Sequence, residues 1–200
     1  MAGTIALTYD DGPHPVWTPL ILAALQQRGA HATFFVQARR AVEHRDLIYA
    51  MRKGGHEVAF HCLDHVRHSR RGSDGVGADL EIGLELLGQV GVRPCAWRAP
   101  WGDETQVTRE LAAEWGMRLW GWNFDTHDWR GDSTARMLDS LKAQGGLRDG
   151  DVILMHDALG PGALRDGCAA TVGLTEGLLQ RAAAAGLTAA TVSACEGVLA

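Results

Sequence analysis

Five short segments hold residue types that could carry out hydrolysis together. The first is Asp10-Asp11-Gly12-Pro13, two adjacent carboxylates followed by a turn. Neighbouring carboxylates repel unless a cation or hydrogen bonds hold them, so the pair fits either a metal site or a turn with a helix-capping Asp. His61 and His65 follow at i, i+4, a spacing that on one helical turn sets both imidazoles on the same face. Nine histidines among 200 residues give about 0.4 such pairs by chance, so the pair needs support from elsewhere. With one carboxylate it forms a two-His-one-Asp set that leaves a coordination position open. Such a set suits one catalytic Zn²⁺, with Co, Ni, Mn or Fe as alternatives by ligand type.

Three further segments complete the group. Arg98, in Trp97-Arg98-Ala99-Pro100-Trp101-Gly102, is a natural partner to keep one of the two carboxylates ionised and oriented, although a surface salt bridge is the commoner fate of an arginine. Asp125-Thr126-His127-Asp128-Trp129 joins acidic and aromatic groups, and would also serve as a helix N-terminal loop with a packed Trp. His156 follows an apolar run ending in Leu154-Met155, where a histidine is more often a satisfied core residue than a catalyst.

Position gives these segments weight. β-branched and aromatic runs at 4–9, 32–36, 57–61, 95–98, 118–124, 151–155 and 187–191 read as seven strands. Between them, helical periodicity covers 16–28, 45–53, 77–90, 105–115, 133–144 and 173–185, several stretches ending at a glycine such as Gly54. This alternation predicts parallel strands covered by helices. Eight-stranded barrels typically need about 250 residues, so the chain fits a smaller or incomplete (β/α) barrel, with a doubly wound open sheet as the competitor. In both, reactive groups belong at the C-terminal strand ends, where five of the seven predicted strands place the candidate residues. No glycine-rich nucleotide loop follows the first strand. The Gly-Ser-Asp-Gly-Val-Gly stretch at 72–77 reads as the most flexible segment.

Composition narrows the class. Apolar residues at 46% and charged ones at 22% match one ordinary globular domain over residues 1–200. A net charge of −5, with 19 basic and 24 acidic residues interspersed, offers no basic stripe for nucleic acid or an anionic membrane. No apolar stretch reaches the roughly 20 residues that span a bilayer. The sequence passes from Met1-Ala2-Gly3 into a strand with no secretory pattern, which reads as cytoplasmic, or as a secreted protein whose leader has been trimmed. Four scattered cysteines (Cys62, Cys95, Cys168 and Cys195) read as reduced and mostly structural.

The ordered set Thr8-Tyr9-Asp10-Asp11-Gly12-Pro13, His61-x-x-x-His65, Arg98-x-Pro100-Trp101-Gly102, Asp125-x-x-Asp128-Trp129 and Leu154-x-His156 resembles the five motifs of the NodB-homology polysaccharide deacetylases, carbohydrate esterase family 4. The resemblance covers residues 4 to about 192. It implies a distorted (β/α)7 barrel of a single domain and metal-dependent hydrolysis of N-acetyl groups on amino sugars. By the same resemblance Asp11, His61 and His65 hold the metal. Asp10 is the general base, oriented by Arg98, and His156 is the general acid, oriented by Asp128. The Trp101 main-chain N–H meets the oxyanion, while Trp129 and Leu154 line the acetyl pocket. Three positions depart from the family pattern. Cys62 stands where Ser or Thr is usual, which removes a hydroxyl from the His61–His65 loop and puts a thiol beside the metal; Trp101 replaces a common Tyr, and Phe60 a frequent Asn.

The expected partner is an acetylated amino sugar acted on by a monomer. An O-acetyl ester on a polysaccharide such as xylan, or a small acetylated metabolite, would use the same residues. A catalytically silent sugar-binding module would usually have lost Asp10 or His156, and both are present. A purely structural metal site would want a fourth ligand.

Overall fold

Residues 3–194 are described by a computed structural model. Strand β1 (Gly3–Asp10) is buried along its last six residues. It lies parallel between β2 (Thr33–Gln37) and β7 (Val152–His156), and β8 (Leu187–Ala190) pairs with its first half. Outward from β2 come β3 (Glu57–Cys62), β4 (Ala96–Trp97) and β5 (Arg118–Leu119); beyond β7 lies β6 (Phe124–Asp125). All pairings are parallel, and the sheet curls into the half-barrel of a distorted (β/α)7 fold.

The strand expected over 118–124 is broken in two. Its halves, β5 and β6, sit at opposite ends of the strand order, so the expected fifth strand spans the open seam of the barrel. Counted as one interrupted strand, they complete the seven. Among the described residues, seven helices cover the sheet: α1 (Trp17–Gln27), α2 (Ala38–Glu43), α3 (Arg45–Lys53), α4 (Gly72–Gln89), α5 (Gln106–Glu114), α6 (Thr134–Ala143) and α7 (Ala169–Ala184). Helix α2 had no counterpart in the sequence reading. Residues 72–77, read as flexible, form the first turns of α4, because Val76 is buried in the core. Gly54 caps α3 as expected, and the left-handed turn comes one residue later, at Gly55. No helix among the described residues is long and apolar enough to cross a membrane. Cys62, Cys95 and Cys168 are free thiols, and Cys195 lies outside the described residues.

Strand period fixes which side chains reach the barrel interior. Ile5, Leu7 and Tyr9 of β1, Phe34 and Val36 of β2, Val58 and Phe60 of β3, and Trp97 of β4 belong to the main core cluster. Alternate residues on the same strands, Ala6, Phe35, Ala59 and Ala96, form a second cluster with Val192, which follows β8. Further along the same faces come Asp10, two alternate positions beyond Ala6, His61 on β3 and, just past the end of β4, Arg98. The period that buries apolar side chains under the helices therefore lifts Asp10 and His61 into the mouth and sets Arg98 just behind its wall. Phe60, one of the family departures, packs away from the mouth against Trp97, ring centroids 5.9 Å apart.

Arg98 closes the seam that the backbone leaves open. It is 1% exposed, and its guanidinium donates to the carbonyls of Trp120 (3.2 Å) and Gly121 (2.8 Å), to Thr8 Oγ1 (2.8 Å) and to Asp10 Oδ1 (2.8 Å). It also lies 4.1 Å from the centroid of the Phe35 ring below it. Removing one partner of a buried ion pair costs about 3–5 kcal/mol. Arg98→Met should therefore lower the melting temperature by on the order of 10 °C, measured by calorimetry. An unchanged melting temperature would mean that the seam does not depend on this side chain.

Candidate active site

The metal-competent residues come from β1 and β3. Asp11 follows β1 with φ 75°, a left-handed conformation unusual for a residue other than glycine. Gln37 Nε2 donates to its Oδ1 (2.9 Å) and Arg40 to its carbonyl (2.9 Å). Its neighbour Gly12 lies against the buried Asp157 carboxyl, where a Cβ would overlap both oxygens. Asp157 Oδ2 accepts from Thr18 Oγ1 at 2.5 Å. His61, on β3, donates from Nδ1 to the Arg98 carbonyl (2.8 Å), which turns Nε2 toward Asp11 Oδ1 at 3.7 Å. His65 Nε2 lies 3.3 Å from the same oxygen.

One donor atom from each of Asp11, His61 and His65 lies within 4.8 Å of the others. The buried Nε2 of His61 has no hydrogen-bond partner. A buried ring nitrogen left without a partner beside a second imidazole and a carboxylate is costly unless a cation engages all three, so these residues fit a divalent ion. Burial, and then His61, hold the pKa of His65 below its usual value, which keeps the imidazole neutral and able to ligate. Burial pushes the Asp11 carboxyl up, but the imidazoles of His61, His65 and His156 and the Gln37 amide outweigh it, and the net direction is down.

His61 and His65 meet by a different route from the helical turn expected of their spacing. His61 is in β3, and His65 follows a bend at Leu63-Asp64. Asp79 of α4, itself buried, holds that bend by accepting from the N–H groups of Leu63 (2.8 Å) and Asp64 (3.0 Å). Arg71 pairs with both Asp79 and Asp64. This carboxylate steadies the loop in which Cys62 lacks the family hydroxyl. The Cys62 thiol is fully buried, and burial followed by the surrounding carboxylates pushes its pKa well above the usual value. Neutral and outside the donor cluster, it is a packing group.

The proton-transfer candidates stand on neighbouring strands. Asp10, 4% exposed, pairs in register with His156 across β1 and β7. Arg98 holds Asp10 as described. His156 donates from Nδ1 to Asp128 Oδ1 (2.7 Å) and from its main-chain N–H to Asp128 Oδ2 (2.9 Å). Asp128 is fully buried in a 3₁₀ turn, Asp128–Arg130, and also accepts from Thr171 Oγ1 (2.7 Å) and Arg165 (3.1 Å). Burial raises its carboxyl, but His156, Arg165 and Thr171 bring it down to about 2. Burial likewise pulls the His156 imidazole down, and the Asp128 carboxylate more than reverses this, holding its pKa up at about 9. His156 is thus a protonated donor at neutral pH with Nε2 free.

These groups share one cavity of about 200 Å³, lined also by Trp101, Trp129 and Leu154. All ten residues singled out in the sequence therefore converge, Arg98 and Asp128 from behind the wall. Trp101 is 42% exposed with φ 65°, fixed by the edge of His65 (5.2 Å) and by the Arg67 guanidinium over its ring (4.7 Å). Several site residues were not legible in the sequence. Trp122 lines the cavity and lies over Arg98 (5.5 Å). Gly160, in the loop after β7, sits where a Cβ would overlap Asp11 Oδ2. Arg165 arrives from the same loop, and Gln37 and Asp79 act through the backbone or a ligand. None of these carries a motif spacing.

Comparison with known proteins agrees with this geometry. The family model described as polysaccharide deacetylase matches residues 2–120. A peptidoglycan-N-acetylglucosamine deacetylase of Bacillus cereus is 30% identical over 155 residues, 76% of this chain and 72% of that protein. A chitooligosaccharide deacetylase of Bradyrhizobium is 33% identical over 164 residues, 81% of this chain and 74% of that one. The chain spans only 32% of some longer relatives. Among solved structures, the family 4 carbohydrate esterase from Streptomyces lividans, in complex with acetate, superposes with a TM-score of 0.82 at 29% identity, covering 94% of this chain and 91% of that one. Barrel, mouth and matches together place this chain in the polysaccharide deacetylase family, the NodB-homology group of carbohydrate esterase family 4.

Proposed function

We propose that the protein is a divalent-metal-dependent hydrolase that removes N-acetyl groups from N-acetylglucosamine-type sugars, as chitooligosaccharide, peptidoglycan-like or small acetamido-sugar substrates. The observation that carries this reading is the convergence in one cavity of the Asp11, His61 and His65 donors with an arginine-held Asp10 and an aspartate-held His156. The names of the similar Bacillus and Bradyrhizobium proteins support the same substrate class.

Asp11, His61 and His65 would hold the ion, Zn²⁺ by donor type with Co²⁺, Ni²⁺, Mn²⁺ or Fe²⁺ as alternatives. When bound, such a cation supplies Lewis acidity, polarising the acetyl carbonyl and making the attacking water more acidic. Asp10 takes the water proton: Arg98 engages its Oδ1, which fixes the carboxylate and leaves Oδ2 free. The main-chain N–H of Trp101 serves the oxygen on which negative charge develops. His156 delivers a proton from Nε2 to the sugar nitrogen, because its Nδ1–H is committed to Asp128 and an amine leaves far more readily than an amide anion. Trp129 and Leu154 give the acetyl methyl an apolar wall, and the exposed face of Trp101 offers a sugar ring a stacking surface. The products are acetate and the free amino sugar.

Purified protein supplied with Zn²⁺ or Co²⁺ should release acetate from N-acetylated chitooligosaccharide and stop when a chelator is added. Asp10→Asn should lower kcat by about 10²- to 10⁴-fold while metal content stays that of the parent. Metal-replete protein that releases no acetate from chitin oligomers, peptidoglycan fragments or acetamido sugars would overturn the assignment. The acid must be protonated, so kcat should fall as pH rises through about 9, where His156 loses its proton. Since the Asp128 carboxylate raises that pKa, Asp128→Asn should move the alkaline limb to lower pH. A limb that stays in place would detach His156 from proton delivery.

A further inference from the structure

Arg165 reaches the His156–Asp128 pair from the loop between β7 and α7, and no part of the reaction above uses it. Its side chain is 5% exposed, inside the wall of the cavity. One guanidinium nitrogen donates to Asp128 Oδ2 (3.1 Å) and Thr171 Oγ1 (2.5 Å); the other donates to the main-chain carbonyl of His156 (3.0 Å) and to Cys168 Sγ (3.2 Å). The preceding residue is tied to the same turn, since the Leu164 N–H donates to the Trp129 carbonyl (2.8 Å). A buried arginine is costly, and this one leaves Nε without a partner. Its purpose is not to satisfy Asp128, whose Oδ2 already accepts from the His156 N–H and Thr171. What the planar fork adds is a rigid link between the carboxylate and the backbone of the residue that the carboxylate orients.

We propose that Arg165 is a positioning residue for proton delivery: it locks Asp128 and the His156 main chain into one unit, so that Nε2–H keeps its aim at the leaving nitrogen. This rests on the reading of His156 as the acid. Misplacement of a reacting group by about 1 Å costs on the order of 100-fold in rate, which is why a brace outside the reacting set matters.

The test uses the metal-loaded full chain as parent, Arg165→Met and Arg165→Lys. Arg165→Met should lower kcat on an acetamido sugar by about 10- to 100-fold with KM and metal content near parental values. The fall should be much smaller on 4-nitrophenyl acetate, whose leaving group departs without protonation. Proton NMR should show the hydrogen-bonded Nδ1–H signal of His156 in the parent, weakened or lost in Arg165→Met and partly restored in Arg165→Lys, which keeps the charge but not the fork. If Arg165→Met does not fold, Arg165→Lys carries the test, with an intermediate loss of kcat and faster solvent exchange of the same proton. Parental kcat and a parental Nδ1–H signal in a folded variant, or equal losses on amide and aryl ester, would reduce Arg165 to a staple of its loop. A parent that releases no acetate would defeat the functional assignment alone, because the NMR signal reads the brace without turnover.

Discussion

A cation buried inside the barrel is the constraint on which the site depends. Without neighbours, the Arg98 guanidinium at its depth would be strongly unfavourable, and it persists because four acceptors from two parts of the chain, β1 and residues 120–121, surround it. Two of those acceptors are main-chain carbonyls on the segment where the expected fifth strand breaks, and one is the carboxylate assigned to proton abstraction. A single side chain therefore supplies hydrogen bonds that the sheet does not supply across its seam and sets the orientation of Asp10. The carbonyl of the same residue fixes the ring of His61, so the candidate metal cradle and Asp10 share one anchor.

Carboxyl groups crowd this barrel, and their surroundings divide them by task. Asp11 is held down by three imidazoles, and Asp128 at about 2 by His156, Arg165 and Thr171. Asp157 differs. Burial, with Thr18 opposing, pushes its carboxyl up to about 7, and it packs behind Gly12 as a support for the turn that carries Asp11. Residue type alone separates none of these roles; burial and the sign of the neighbouring charge do.

Much of this was legible in the sequence because the chemistry sits at strand ends and strand period is a strong signal. The alternation that packs Leu7, Phe34 and Phe60 outward is the same one that turns Thr8, Asp10 and His61 inward. Legibility failed where a local pattern misled. Residues 118–124 read as one strand because they are aromatic, yet two glycine-flanked tryptophans there serve the seam and the cavity wall. Residues 72–77 read as loop because three glycines weaken helix propensity, and tertiary burial of Val76 overrode that preference. The spacing of His61 and His65 signalled proximity correctly for a reason that was not helical. Arg165 and Asp79 were invisible, since residues that act by holding others need no fixed interval from them.

The register between β1 and β7 has one more consequence. Asp10 and His156 are partners on adjacent parallel strands, and neighbouring strands lie about 4.8 Å apart. The gap between the carboxylate and the imidazole proposed to accept and return the proton is thus set by backbone ladder geometry, whatever the surrounding loops contain. Evolution can remodel the rim to admit a new sugar while the spacing of the chemical pair stays constant.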